Sequence, residues 1–429
     1  MSEQIRPRVL LIRGHQTNSW HLRPWRYLTD RYDIVVAQTR RNWFDTSSLG
    51  LATIEAPALR DLLPPGRIGH ELARIPGDRY LRPRRLFRGF DIVHSQDLGF
   101  WYSMQAAKYR RELGHKLVLT VWETIPFIDA YRNIRTRPYR RRVLAETDLF
   151  LPTTERARAA LLLEGAEPER IELCPPGIDD EFLRAGAGPS AGEEPGGHDD
   201  KHRTAGRETT SAGESGGQHL ILSAGRLVWE KGHQDVLRAV AAIKRGLVEH
   251  QLAQPPRVLV VGRGPEERRL KRYARELGIG ELVEVRREVP YAEMPALYRR
   301  ASCLVLASLP IWSWEEQFGM VMAEAACVGL AIAAARSGAI PEVAPRGALL
   351  FDPGDWLTLA QLLVQGPLSR EPGARVSYPR EQVDRYSGRA FAERLDRAYQ
   401  RALGGFLGSS ASRANRAEPE LERTRCGSC

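Results

Sequence analysis

Short, continuous apolar runs alternate with amphipathic stretches along the first 180 residues. Continuous rather than alternating apolar strands are typical of a parallel sheet buried on both faces. Helical stretches such as 101–113 and 156–164 lie between several of the runs. This β–α alternation predicts a doubly wound α/β domain over residues 1–183. The strand candidates are 9–12, 32–36, 91–94, 116–121, 149–151 and 171–173.

The same pattern restarts after residue 218 and predicts a second doubly wound domain over 219–385. We expect a helix at 386–407 to return to the first domain. In open α/β sheets, ligands bind outside the carboxyl ends of the strands, so two facing domains would enclose a cleft between those edges. The strand candidates are 220–223, 257–261, 282–285, 303–306 and 331–333, and the helix candidates are 234–244, 266–277, 294–300 and 320–328.

The segment 184–218 separates the two domains and contains no Ile, Leu, Val, Phe, Trp or Tyr. Such a composition cannot bury enough apolar surface to offset the entropy of ordering, so it predicts a disordered insertion or linker. The tail 408–429 is similarly polar and is predicted to be flexible.

Overall composition is that of an ordinary globular protein, with 42% hydrophobic residues and a formal net charge of +10. We see neither an apolar run of about 18–20 residues nor a signal-peptide leader, so we expect a cytoplasmic protein. The segment 131–142 carries six arginines and no acid. Such a patch favours peripheral contact with an anionic membrane, a phosphorylated substrate or nucleic acid, and the alternative is a solvated surface.

The cysteines indicate neither a disulfide framework nor a metal site. The chain has five cysteines in 429 residues. Cys426 and Cys429 form a C-x-x-C pair, but a zinc site needs four ligands and a second pair is not apparent.

The sharpest chemical cluster lies at 315–326, after the strand candidate 303–306. Gly319 fits a tight strand-to-helix turn, and Glu316 and Glu324 lie about two helical turns apart. Two acids so placed could bind separate hydroxyl groups of one elongated ligand. They could instead be an acid at a helix N-terminus and a surface acid. Glu324 has Met322, Ala323, Ala325 and Ala326 as neighbours, a context in which an unpaired acid is costly.

Three further loops follow strands of the second half. Arg226 and Lys231 lie five residues apart in a glycine-bounded loop after Gly225, where two cations could clamp a diphosphate or simply be solvated. Gly262 and Gly264 form a Gly-x-Gly turn, which many strand–helix connections need for geometry alone. The segment 337–342 also resembles a turn into a helix, whose N–H groups could meet a phosphate.

These motifs together resemble glycosyltransferase family 4, whose members are retaining enzymes with the GT-B fold. The family pattern has Gly-Arg-Leu before Glu-Lys-Gly, then Val-Gly-x-Gly-Pro-Glu, and then Glu-x-Phe-Gly-x-x-x-x-Glu-Ala. A Leu-Tyr-x-x-Ala-x-x-x-Val-x-x-Ser segment precedes the last motif, and a Pro-x-Gly-hydrophobic-Asp hinge joins the domains. The matching segments are 225–227, 230–232, 261–266, 316–325, 297–308 and 175–179.

The resemblance implies a role for each matching residue. Glu316 would bind the donor sugar, Glu324 the nucleotide ribose, and Arg226 and Lys231 the diphosphate. Phe318 and Gly319 would offer backbone N–H groups to the sugar. Fixed cations would stabilise the departing diphosphate without a metal or another cofactor. The remaining donor-side positions are the glycines Gly14, Gly225, Gly262 and Gly264.

The first half departs from the family pattern on the acceptor side. Arg13-Gly14-His15 stands where the family often has paired glycines, and Trp122 stands at the usual histidine position. The acceptor-side polar group would therefore be Glu123 or His94, unless His94 is a core or capping residue.

The sequence therefore predicts a cytoplasmic, GT-B, retaining glycosyltransferase that moves a hexose from a nucleotide-diphosphate sugar. The acceptor would be a glycan or a lipid-linked precursor at the inner membrane face, and nucleic acid is not expected as a partner. The alternatives are an epimerase-like or phosphorylase-like GT-B enzyme, and a non-enzymatic basic binding module.

Overall fold

A computed structural model describes residues 6–44, 46–64, 77–132, 134–178, 217–287 and 289–404. Most of the predicted linker (up to residue 216) and the whole tail with Cys426 and Cys429 lie outside the described residues. Within the described ranges, no helix is both long and apolar enough to cross a membrane.

The first domain is a six-stranded parallel sheet with the order β3-β2-β1-β4-β5-β6. The predicted strand 171–173 is wrong, because Ile171 makes only an isolated bridge to Phe150. The strands are β1 Arg8–Ile12, β2 Asp33–Gln38, β3 Ala52–Glu55, β4 Ile92–Gln96, β5 Lys116–Val121 and β6 Leu149–Pro152. The helices are α1 Ser19–Leu22, α2 Pro83–Phe87, α3 Trp101–Leu113, α4 Asp129–Arg132, α5 Arg137–Glu146 and α6 Glu155–Leu163.

The second domain repeats this plan, with the order β12-β11-β10-β7-β8-β9 in a parallel sheet. Both sheets reverse their strand order at the centre, where a doubly wound fold opens a crevice for ligands. The strands are β7 Leu220–Ala224, β8 Arg257–Val261, β9 Val283–Arg286, β10 Cys303–Leu306, β11 Ala331–Ala335 and β12 Leu349–Phe351. The helices are α7 His233–Lys244, α8 Glu267–Glu276, α9 Met294–Arg300, α10 Met320–Cys327, α11 Ile340–Val343, α12 Trp356–Gln365 and α13 Arg380–Asp384.

A last helix, α14 (Gly388–Gly404), packs against the first domain. Phe391 and Tyr399 of α14 are buried with Leu11 and Trp25 of the first domain. The Trp25 indole N–H donates to the Tyr399 hydroxyl at 3.1 Å. The far end of the chain thus completes one face of the first sheet.

Two polar contacts join the domains beside the cleft. The Glu342 carboxylate accepts hydrogen bonds from the backbone N–H groups of Glu155 and Arg156 at 2.7 and 3.2 Å, at the N-terminus of α6. The Arg156 guanidinium forms a two-pronged ion pair with Glu315, with Nη2 at 2.8 Å from Oε2. Because negative charge is favourable at a helix N-terminus, both contacts hold α6 against the second domain. The prediction of two doubly wound domains is confirmed.

Candidate functional site

The loop after β7 presents the two predicted cations. A short helical turn over Trp229–Lys231 ends at Gly232, whose φ is +68°. A Cβ at Gly232 would lie 1.7 Å from the backbone oxygen of Ala307, so only glycine fits there. This close approach places Lys231 beside the end of β10.

Lys231, Glu316 and Ser308 form a compact polar triangle. The Lys231 Nζ donates to Glu316 Oε2 at 2.6 Å, and the Ser308 hydroxyl donates to the same oxygen at 2.7 Å. Lys231 Nζ also lies 4.8 Å from the centre of the Trp314 ring. The side chains of Lys231 and Glu316 are only 14% and 7% exposed. The strand-end geometry therefore fixes both charges before any ligand arrives.

The charge state of Glu316 follows from these neighbours. Burial by itself would raise the pKa of Glu316, but the Lys231 charge, the hydrogen bonds from Lys231 and Ser308, and the Arg226 charge together lower it below its ordinary value. Glu316 is thus an ionised acceptor that can take hydrogen bonds from hydroxyl groups. Arg226 is 60% exposed, and its Nη2 lies 3.7 Å from the Glu230 carboxylate, so its guanidinium stands in solvent at the same edge.

Glu324 is buried on α10 and accepts hydrogen bonds from two tyrosines. The Tyr298 hydroxyl donates at 2.8 Å and the Tyr291 hydroxyl at 3.1 Å. Burial raises the pKa of Glu324 to about 7, in spite of both hydrogen bonds. The Tyr291 ring also lies 6.1 Å from Trp20 of the first domain, so the Glu324 site is at the domain boundary. Sequence analysis named Tyr298 only as part of a motif and missed Tyr291.

Phe318 and Gly319 open α10 between these two acids. Gly319 has φ of +83° at the helix start. The Phe318 side chain is buried, with its ring 6.1 Å from Trp122 of the first domain and 5.4 Å from Tyr386. Phe318 therefore packs where the two domains meet, next to the polar triangle.

The other predicted donor-side glycines have clear packing functions. A Cβ at Gly262 would lie 1.8 Å from the Gly225 oxygen, and one at Gly264 would lie 2.2 Å from the Leu227 oxygen. These glycines let the loops after β7 and β8 touch. Gly14, with φ of +55°, lies in the first domain against Asp78, and a Cβ there would meet the Asp78 carboxylate at 2.5 Å.

Gly338 supports Glu316 from the neighbouring loop after β11. The Ala339 N–H donates to the backbone oxygen of Glu316 at 2.8 Å, and Gly338 has φ of +56°. A Cβ at Gly338 would lie 2.1 Å from that same oxygen. The segment 337–342 thus holds the backbone of Glu316.

We expect Gly338→Ala to reduce turnover by about 10–100-fold, because small misplacements of a binding group are costly. Gly347→Ala is the matched control. Gly347 also has a positive φ, of +99°, but an added Cβ there meets no atom within 4 Å. Steady-state kinetics of both variants test this. Equal losses in the two would show that backbone strain alone, and not displacement of Glu316, is responsible.

On the acceptor side, His94 is fully buried in the core. Its Nε2 lies 2.7 Å from the Thr120 hydroxyl, and its Nδ1 lies 2.6 Å from the Tyr399 hydroxyl of α14. Burial, and then the charge of Arg13, hold its pKa well below the usual range. The structure thus favours the packing alternative for His94, because both ring nitrogens already have partners away from the cleft.

Glu123 lies at the end of β5 in a buried acidic cluster around Arg140. Arg140 Nη1 donates to Glu123 at 2.6 Å, and the same guanidinium pairs with Asp129 and Glu164. Burial raises the pKa of Glu123 to about 7, against the opposing charge of Arg140. Asp97 accepts the backbone N–H groups of Trp122 and Glu123 at 2.6 and 3.2 Å.

The arginine-rich segment is therefore not uniformly a solvated face. Arg140 is only 4% exposed, and Arg137 pairs with Asp129 at 2.9 Å. The acids that neutralise them, Glu123, Asp129 and Glu164, lie outside the segment 131–142, so a charge count within that segment does not include them. Arg141 and Arg142 remain exposed.

Sequence analysis also missed a histidine–aspartate contact after β1. His15 Nδ1 contacts the Asp78 carboxylate, and Arg60 lies 3.3 Å from the same carboxylate. These residues are 18 to 63 positions apart, with no shared motif to predict the contact. The contact fixes the loop 13–16 at the edge of the first sheet.

Comparisons with known proteins agree with this fold. The family model for glycosyl transferases group 1 matches residues 207–365, and the model for Glycosyltransferase Family 4 matches residues 26–182. The two D-inositol 3-phosphate glycosyltransferases of Nocardia farcinica and Corynebacterium jeikeium are 29% and 27% identical to the chain. The Nocardia match covers 80% of this chain and 73% of that protein. The Corynebacterium match covers 72% of this chain and 72% of that protein.

Solved structures show the same fold at low identity. Sucrose-phosphate synthase from Thermosynechococcus elongatus has a TM-score of 0.65 at 16% identity, covering 93% of this chain and all of that one. Anabaena HepE in complex with UDP and glucose has a TM-score of 0.63 at 13% identity, covering 91% and 99%.

The family models and the fold together define a glycosyltransferase with the GT-B architecture. The chain belongs to the glycosyltransferases, with a family 4 domain followed by a group 1 domain. The predicted family and the predicted enzyme class are confirmed, and the non-enzymatic alternative is set aside.

Proposed function

We propose that the enzyme transfers a hexose, with retention of anomeric configuration, from a nucleoside-diphosphate sugar to a hydroxyl of a glycan or lipid-linked acceptor. The observation that carries this proposal is the polar triangle of Lys231, Glu316 and Ser308, with Arg226 at the same edge and Glu324 along α10. A cationic edge beside two buried acids suits a ligand with a charged middle and hydroxyl groups at both ends.

In this proposal the cations stabilise the leaving group. Negative charge grows on the diphosphate as the glycosidic bond breaks, and fixed cations at a partly dry site stabilise that charge without reorganisation. Lys231 is held in place by Glu316, so it need not be ordered at the moment of reaction. Glu316 would accept hydrogen bonds from the sugar, and Glu324 from the ribose once a ligand displaces a tyrosine hydroxyl. Neither role requires a metal or another cofactor.

Glu123 is the acceptor-side group that we propose. Its pKa of about 7 lets it exchange a proton near neutral pH, as a general base must. It lies at the carboxyl end of β5, next to Trp122, which in turn lies near Phe318 of the donor domain. The acceptor hydroxyl would therefore approach from the first domain toward the sugar held by the second.

The comparisons suggest a uridine donor and two acceptor classes. Anabaena HepE, which shares the fold, has been solved in complex with UDP and glucose and with UDP-glucose, which favours a UDP-sugar. The relatives from Nocardia farcinica and Corynebacterium jeikeium are D-inositol 3-phosphate glycosyltransferases, so a phosphorylated polyol is a second acceptor candidate. Exposed Arg141 and Arg142, with Ile134 62% exposed seven residues before Arg141, favour the lipid-linked acceptor at the cytoplasmic face of an anionic membrane.

A thermal-shift screen of UDP, GDP, ADP and CDP, with and without chelator, tests the donor assignment. A diphosphate that binds only the folded state should stabilise it by about 2.7 kcal/mol at 100 times its Kd. We expect UDP to give the largest shift and chelator to leave it unchanged. Radiolabelled transfer from UDP-hexoses to inositol phosphate in solution, or to lipid-linked acceptor in anionic vesicles, then separates the acceptors. Equal shifts for all four nucleotides would refute the uridine assignment, no shift with any of them would refute the donor site, and a shift that chelator abolishes would refute metal-independent binding.

A further inference from the structure

A pocket lies on the second domain, in the groove between α7 and α8. It is partly open to solvent and has a volume of about 190 Å3, with the buried Leu270 and the partly buried Tyr273 of α8 among its lining residues and Trp229 at one side. Such a volume exceeds that of several water molecules and accommodates a single pyranose ring. None of its lining residues belongs to the polar triangle around Glu316.

Trp229 is the unusual wall of this pocket. Its side chain is 53% exposed, although an indole is among the largest apolar surfaces a protein can bury. The backbone beneath it is fixed, because the Gln234 side chain donates to the Trp229 oxygen at 3.2 Å. A rigid aromatic face beside a preformed cavity is a platform on which a flat, partly apolar ring can stack.

The charges around the pocket are already paired. Arg238 donates to Asp235 at 2.5 Å and to the Tyr273 hydroxyl at 2.8 Å. Arg269 donates to Glu266 at 2.9 Å. Arg272 lies 3.6 Å from Glu276. Each cation has a carboxylate partner, so the pocket does not favour a multiply charged anion. The guanidinium and carboxylate groups keep spare donors and acceptors, and hydroxyl groups can satisfy both at once.

We propose that this pocket binds one uncharged sugar unit of an oligosaccharide, at a site separate from the donor and acceptor cleft. The apolar C–H face of a pyranose would stack on Trp229, and its hydroxyls would bond to the arginine and glutamate rim. The assignment of the pocket does not depend on which nucleotide sugar the enzyme uses, whereas its linkage to UDP binding rests on the proposed function.

The position of the pocket gives this binding a consequence for donor binding. Trp229 lies between Arg226 and Lys231 in one loop, and the Glu266 N–H at the start of α8 donates to the Leu227 oxygen at 3.0 Å. A sugar held between Trp229 and α8 would therefore restrain the loop that carries the diphosphate cations. By linkage, the same sugar should tighten UDP binding, and UDP should tighten sugar binding, by one common factor.

Saturation-transfer NMR on the full chain, with and without saturating UDP, tests the proposal with maltotriose, cellotriose and mannotriose as probes. We expect millimolar binding of at least one trisaccharide in the presence of UDP. Trp229→Ala should weaken it about tenfold, which corresponds to the loss of one aromatic contact. Trp43→Ala is the matched control, because Trp43 is 50% exposed but lies in the first domain, and it should bind as the parent protein does.

Arg272→Ala is a second pocket variant, which distinguishes loss of a sugar contact from damage to the loop that carries Trp229. Arg272 is 67% exposed on α8, away from the diphosphate loop, so its loss should weaken the trisaccharide several-fold and leave the Kd for UDP unchanged. Three outcomes would overturn the proposal: no binding of any trisaccharide, binding that Trp229→Ala leaves unchanged or that Trp43→Ala weakens equally, or competition by inorganic phosphate.

Discussion

Lys231→Met should lower kcat by about 10²–10³-fold, the size of effect seen when one fixed stabiliser of developing negative charge is removed. Methionine keeps much of the apolar stem of lysine but removes the charge that, in the proposed function, faces the departing diphosphate. Lys231 is the more buried of the two cations, and it is already ordered by Glu316 at 2.6 Å. Its loss should therefore be felt more in turnover than in the KM for the donor. Single-turnover and steady-state kinetics measure both.

Stability must be separated from chemistry in this experiment, because the variant leaves Glu316 buried without its cation. Breaking a buried ion pair from one side costs about 3–5 kcal/mol. The double variant Lys231→Met, Glu316→Gln removes the stranded charge, so it should recover stability but not activity. Lys244→Met is the surface control, since Lys244 and its partner Glu281 are 35% and 62% exposed and worth about 0–1 kcal/mol. Near-normal transfer by a folded Lys231→Met protein would refute the proposal that Lys231 stabilises the departing diphosphate.

Glu324→Gln should change stability in a pH-dependent way while weakening nucleotide binding. The pKa of Glu324 is raised to about 7 by burial, above the ordinary glutamate value of about 4.3. Between these two pH values the folded protein holds a proton that the unfolded chain has released. Folding stability from this residue therefore falls as pH rises from about 4.5 to 7 and is level above that.

Glutamine cannot ionise, so the variant escapes this loss. The difference in unfolding free energy between variant and parent should grow in favour of the variant across that pH window, by up to about 3 kcal/mol. Urea unfolding at pH 4.5, 6, 7 and 8 measures it. Calorimetry should show weaker binding of UDP and of the UDP-sugar alike, because both would use the ribose contact. Glu249→Gln, on the surface, should stay within about 0.5 kcal/mol at every pH. A difference for Glu324→Gln that does not vary with pH would contradict the buried-acid account.

Apolar periodicity was enough to predict most of both sheets, because parallel strands covered by helices on both faces are continuously apolar. Two edge strands were not predicted. β3 is largely exposed and so is not a continuous apolar run, and β12 has only three residues, which is too short to stand out. Residues 171–173 were wrongly predicted as a strand, because the run is apolar enough but makes a single bridge.

The roles of the donor-side residues stay a prediction, but their clustering could be expected because they lie in loops at strand ends. Lys231 and Glu316 lie in the loops after β7 and β10, which are neighbours in the sheet, so topology brings them together. The acceptor half depends on distant partners. Asp78 meets His15, and Glu164 meets Arg140, through contacts that no spacing rule encodes. The sequence suggested His94 as a cleft residue because its hydrogen-bond partner Tyr399 belongs to α14, some 300 residues later in the chain.

The packing of α14 on the first sheet has a consequence for synthesis on the ribosome. The first domain emerges roughly 200 residues before α14, and at about 5–20 residues per second it waits roughly 10–40 seconds for its last helix. During that interval Leu11, Trp25 and their neighbours lack the Phe391 and Tyr399 side chains that cover them in the finished fold. The nascent chain therefore carries an exposed apolar face while the second domain is being made. Chaperone demand, rather than final stability, should limit the yield of this enzyme in a foreign host.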